Sequence, residues 1–165
     1  MARTKIDPSL VPIMPAAQVK GTTTNDSAAA GYVGEVISAE EVSSYVNFSA
    51  TGVMDDLLSI SLTPGNWMIS ATACLRSGAG CTVTWYQIGI STTSGNDNTG
   101  LKYCGNNVQM SLNPGQTFFD YFPMTIPPYP IHLSTTTTYY YKRKADYTGT
   151  TPYTRGGIIQ AIRVR

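Results

Sequence analysis

The run NWMISATACLR, Asn66 to Arg76, alternates without a break. Trp67, Ile69, Ala71, Ala73 and Leu75 fall on one side, and Met68, Ser70, Thr72, Cys74 and Arg76 on the other. Neighbouring side chains of an extended strand point to opposite faces, so this pattern specifies a strand with one apolar and one mainly polar face. From Val33 onward similar runs follow one another: GYVGEVIS, VSSYVNFS, MDDLLSISL, CTVTWYQIGIS, LKYCG, NVQMSL, TFFDYFPM, IHLS, TTTTYYYKRKADY and GGIIQAIRVR. None carries a helical period. About eight to ten strands and no helix are expected. The fold class is therefore all-β, a jelly-roll-like antiparallel β-sandwich. An immunoglobulin-like sandwich is the rival, weakened by the lack of a Cys–Trp–Cys spacing.

Turn chemistry supports the reading. Ser61-Leu62-Thr63-Pro64-Gly65 and Ser111-Leu112-Asn113-Pro114-Gly115 share the pattern S-L-x-P-G. Proline presets φ near −65° and glycine accepts the positive φ that follows, so each is a chain reversal rather than a site.

The 165 residues suit one domain with a core. Residues 1–31 have neither period, and Pro8, Pro12 and Pro15 interrupt any helix. Ile6, Leu10, Val11, Ile13, Met14 and Val19 nevertheless make the segment too apolar for a plain linker. Apolar residues among prolines suit an extended anchoring arm, because proline lowers the entropy lost on docking. The division is residues 1–31, arm, and 32–165, sandwich.

Charged residues are only 13% and the net charge is +1, so no global field draws the chain to nucleic acid or an anionic membrane. No apolar run approaches the roughly 20 residues of a membrane span, and the N-terminus lacks the apolar core of a signal peptide. Charge is uneven: Lys142, Arg143, Lys144, Arg155, Arg163 and Arg165 crowd the C-terminal end. A solvated basic edge is the expected outcome, with orientation against a neighbouring subunit as the other reading. Cys74, Cys81 and Cys104 are odd in number and read as free thiols from a reducing compartment, although Cys74 and Cys81 flank a loop that would let them meet across a hairpin.

Chemistry-bearing patterns are sparse. His132 is the sole histidine, no serine sits in a nucleophile elbow, and the cysteines lack metal-ligand spacing. Glu40-Glu41 and Asp55-Asp56 are adjacent carboxylates that a strand would turn apart. TTSGNDNTG offers Asn96, Asp97 and Asn98 to a cation but has one carboxylate and no distal glutamate. No enzyme, metal or cofactor is expected. STTTTYYYKRKADYTG looks like a tyrosine platform, yet in a strand Tyr140, Lys142 and Lys144 share one face while Tyr139, Tyr141, Arg143 and Ala145 share the other. It reads as a long strand with one side toward a core or a subunit interface.

Five stretches in order carry a resemblance: KGTTTNDSAAAGYVGE (Lys20–Glu35), SISLTPGNWMISA (Ser59–Ala71), QIGISTTSG (Gln87–Gly95), IHLSTTTTYYYKRKADY (Ile131–Tyr147) and GGIIQAIRVR (Gly156–Arg165). The chain resembles a β-rich domain of tailed-bacteriophage virion surface proteins, found in tail fibres, head fibres and capsid decoration proteins. The resemblance implies a jelly-roll-like sandwich that assembles as a homotrimer on the virion surface, after synthesis in the host cytoplasm. Fibres carry the domain behind a long shaft, for which about 30 residues leave no room. The expectation is a trimeric capsid decoration or head-spike protein, joined to the major capsid protein or another virion protein through residues 1–31. The alternative is a tail-associated receptor-binding protein recognising host surface glycan, with Trp85, Tyr86, Tyr103, Tyr121 and Tyr153 as candidate sugar-stacking aromatics.

Overall fold

The computed structural model describes residues 28–42, 45–77, 80–95, 103–108 (backbone) and 122–165. They form nine strands: β1 (Val36–Glu41), β2 (Val46–Asn47), β3 (Met54–Leu62), β4 (Gly65–Arg76), β5 (Cys81–Ser91), β6 (Tyr103–Val108), β7 (Phe122–Leu133), β8 (Thr137–Gly149) and β9 (Tyr153–Arg163). The residues assigned to the arm, 1–27 of them, lie outside the described region.

The pairing identifies the topology. β1 pairs with β9, β3 with β8, β4 with β7 and β5 with β6, all antiparallel. These pairs are nested, as in one long ribbon doubled back on itself. Rolling the ribbon up adds β4 to β9 and β5 to β8. Two facing sheets result, sheet A in the order β1-β9-β4-β7 and sheet B in the order β3-β8-β5-β6, with β2 attached to β9. That is a jelly roll.

The alternation of β4 holds along its length: Trp67, Ile69, Ala71, Ala73 and Leu75 are buried and the residues between them half-buried. Opposite them sheet B turns in Ile60, Leu62, Val83, Tyr86, Ile88, Ile90, Tyr139 and Tyr141. The β8 tyrosines divide as the strand period requires, with Tyr139 and Tyr141 buried and Tyr140 only half-buried. The reversal at Thr63-Pro64 carries the chain from sheet B to sheet A, and Gly65 takes φ +145°.

Several expectations change. TFFDYFPM and IHLS were separate strands in the sequence reading, but β7 runs unbroken through Pro127, Pro128 and Pro130. β7 is the outer strand of sheet A, where a missing N–H breaks no ladder bond, and an extra residue bulges opposite Ile69 and Ala71. The β6 residues, likewise, straddle two runs read separately. The solvated basic edge is also corrected, because Lys142, Arg143 and Arg163 are buried. The second S-L-x-P-G pattern, at 111–115, lies outside the described residues.

Candidate functional site

Arg163 organises the corner where the chain comes into β1. It follows Ile159 and Ala161 on the inward face of β9, so its side chain starts in the core and leaves through the end of the sandwich. The guanidinium lies 4.2 Å above the Trp67 ring centroid. Its Nε donates to Glu35 Oε2 at 2.8 Å, Nη1 to the Pro64 carbonyl at 2.8 Å and Nη2 to Thr63 Oγ1 at 2.5 Å. A charge-assisted fork of this kind fixes both distance and orientation. Glu35 also accepts from the Gly31 N–H at 2.8 Å. That N–H, followed by the Arg163 guanidinium, holds the Glu35 carboxyl below its ordinary range. Main-chain bonds from Gly34 N to Arg163 O and from Arg163 N to Glu35 O complete the clasp, both at 2.9 Å. Residues 31–35, from the last residue of the predicted arm into the start of the sandwich, are thereby fastened to β9 and to the β3–β4 turn. Gly65 is required beside it, since a Cβ there would lie 2.0 Å from Arg163 Nη1.

A second arginine fastens β2. Arg143 faces inward from β8, with Nη1 donating to the Val46 carbonyl and Nη2 to the Asn47 carbonyl, each at 2.7 Å. Nη1 also contacts Thr154 Oγ1, and the guanidinium sits 4.3 Å over the Phe48 ring. Burial lowers its pKa, yet a guanidinium keeps its proton. Burial likewise pushes the neighbouring Tyr86 and Tyr141 phenols upward. On the opposite face of β8, Lys142 is fully buried as well. Its ammonium pairs with Asp56 at 2.7 Å and donates to the Gly95 carbonyl at 2.5 Å, while the Gly95 N–H donates to Asp56. The sequence reading missed all three buried cations, because residue type alone marks them as surface.

The candidate aromatics scatter. Tyr86 is fully buried between the sheets and no glycan reaches it, which corrects its assignment. Tyr153 is half-buried on β9 and packs edge-on against Tyr45, centroids 4.6 Å apart. Trp85 is half-buried on β5 with Lys144 Nζ 5.1 Å from its ring centroid. Tyr103 belongs to β6, whose side chains are not described, and Tyr121 lies outside the described residues, as do Ile6, Leu10, Val11, Ile13, Met14 and Val19. Trp85 and Tyr153 stand on different sheets, so no single platform forms from them.

His132 shares a 2.6 Å hydrogen bond with Asn66 Oδ1 on the exposed face. Cys74 is half-buried and Cys81 buried, both as free thiols, and burial raises the Cys81 pKa. Among the described residues no group of three His, Cys, Asp or Glu side chains could hold a metal ion. Asn96, Asp97 and Asn98 lie outside them.

No family model matches the sequence, and no curated relative matches it either. Similar solved structures are viral. A chain of the infectious bursal disease virus Gx strain structure is 12% identical at a TM-score of 0.46, covering 88% of this chain and 37% of its own. One from the Gt strain is 14% identical at 0.46, covering 99% and 36%. A chain of the cyanophage Pam1 capsid asymmetric unit is 15% identical at 0.36, covering 92% of this chain and 99% of its own. This chain thus spans little more than a third of the bursal disease virus chains. At such identities the likeness concerns the fold alone.

Proposed function

We propose that the chain is a non-enzymatic structural subunit of a phage particle, a trimeric decoration or head-spike protein held to the virion surface by residues 1–31. The observation that carries the reading is the Arg163–Glu35 clasp. It gives the segment leading out of the arm one fixed departure point, so tension on an anchored arm is delivered to the β9–β4 ladder at the centre of sheet A. The nested jelly-roll pairing and the five ordered sequence stretches point to the same class of protein.

A trimer needs apolar surface to bury, and sheet A offers some. Val36 pairs with Ile162, Ile162 with Met68 and Met68 with Pro130, a row crossing all four strands on the outer face. Val36 and Ile162 are each 41% exposed. Two-sided burial of such a face supplies the stability that an oligomer shares among its subunits.

Deleting residues 2–20 is expected to leave a folded trimer that no longer binds particles, read by co-sedimentation. Undiminished binding would remove the arm from the reading. Immunogold labelling of intact particles separates the locations: label over the head supports decoration, and label confined to the tail transfers the protein to receptor binding.

A further inference from the structure

The outer face of sheet B contains a side-chain arrangement that the jelly roll does not need. β5 begins with Cys81 and Val83 facing the core, and continues with Tyr86, Ile88 and Ile90 facing the core. Strict alternation would put residue 85 inside. Instead the ladder with β8 slips between Val83 and Trp85, which pair with Tyr147 and Asp146. The inserted residue is Thr84. A bulge bends the strand and redirects the side chains around it, and its effect here is to bring Trp85 out of the core row, beside Thr84. Burying a tryptophan is among the larger apolar gains available to a fold, so turning one outward forgoes stability.

Trp85 meets a specific set of neighbours. Thr84, Trp85, Lys144 and Asp146 line an open depression of about 510 Å3. The Lys144 ammonium sits over the indole ring, 5.1 Å from its centroid. The Thr84 hydroxyl donates to the Asp146 carbonyl at 3.1 Å, which locks the bulge against β8. Among the described residues, the Asp146 carboxylate and the Trp85 indole N–H have no hydrogen-bond partner, and Lys144 forms no ion pair. On the far side Gly52 leaves room, since a Cβ there would lie 3.3 Å from Asp146 Oδ1.

From this geometry we infer a saccharide-binding subsite. A pyranose stacks its apolar C–H side on the indole in place of the Lys144 ammonium, which moves to the rim. Asp146 accepts from, and Lys144 donates to, the hydroxyls at its rim. One acid and one base on the wall cancel, which suits an uncharged hexose or N-acetylhexosamine better than an anionic ligand. The subsite uses nothing from residues 1–31 and does not depend on where the protein sits in a particle.

Trp67 is fully buried, so an aqueous quencher of tryptophan fluorescence reports on Trp85. The full chain is titrated with glucose, galactose, mannose and N-acetylglucosamine as methyl glycosides, and with dextran, while acrylamide quenching is followed. At least one probe is expected to protect Trp85 saturably, cutting the quenching slope roughly in half. Asp146→Asn should weaken that probe about tenfold, with circular dichroism unchanged. Trp85→Phe should retain stacking and Trp85→Ala lose binding, read by calorimetry. Should Trp85→Ala fail to fold, Asp146→Asn decides. No protection by any probe, or binding indifferent to Asp146→Asn, overturns the assignment.

Discussion

Arg163 and Glu35, 128 residues apart in sequence, meet at 2.8 Å to close the corner of the sandwich. The contact has a pH signature. Glu35 is held below 4.5, the value it takes in the unfolded chain, so its stabilisation is complete above that pH and is lost as pH falls through the lower folded value. Glu35→Gln should cost on the order of 1–2 kcal/mol at neutral pH. In acid unfolding monitored by circular dichroism, the difference between variant and parent should begin to shrink near pH 4.5 and vanish once pH has fallen through the lower folded value.

Gly65→Ala tests the other side of the same corner. Its backbone sits at φ +145° and its Cβ would meet Arg163 Nη1, a group pinned by four contacts and unable to swing away cheaply. A loss of about 2 kcal/mol is expected in urea unfolding. If Arg163→Ala is already in place, much of that penalty should vanish, because the obstructing group has gone.

Arg143→Ala should be more damaging. It removes both donors to the Val46 and Asn47 carbonyls and leaves a hole under Phe48. A cost of about 3 kcal/mol is expected. Hydrogen exchange localises the effect: amides of β2 and of the β9 residues paired with it, Tyr153 and Thr154, should lose protection before the rest of sheet A.

Tyr141→Phe should go the opposite way. Tyr141 is fully buried, and its hydroxyl has no hydrogen-bond partner among the described residues. Removing an unsatisfied buried group recovers its desolvation cost, so a gain of about 0.5–1 kcal/mol is expected in thermal unfolding.

How much of this was legible varies by residue. The β4 alternation and the split of Tyr139, Tyr140 and Tyr141 followed from a period of 2, a signal that survives in any sheet. The extra residue at Thr84 left no compositional mark. A period-based reading therefore has Trp85 inward until the register with Asp146 is seen. Lys142 and Arg143 were unreadable as buried for a different reason. Their partners are a carboxylate on β3, a loop carbonyl and two carbonyls of β2, brought near only by the completed fold. Pro127 and Pro128 signalled a break, and only position at a sheet edge makes them compatible with a strand.

The nested pairing also dictates an order of events. In sheet A, β9 lies between β1 and β4, so β1 has no neighbour in its own sheet until a strand made more than a hundred residues later arrives. Only the innermost pair, β5 with β6, closes a short loop. The outer ones must bear the full chain entropy of a distant encounter. Folding in the range of milliseconds to seconds, about that of other all-β domains rich in distant contacts, is the kinetic consequence. While β9 is missing, the facing edges of β1 and β4 are open templates for another copy's strand. Crowded synthesis of many identical chains thus puts the nascent protein at hazard in the interval before β9 is made.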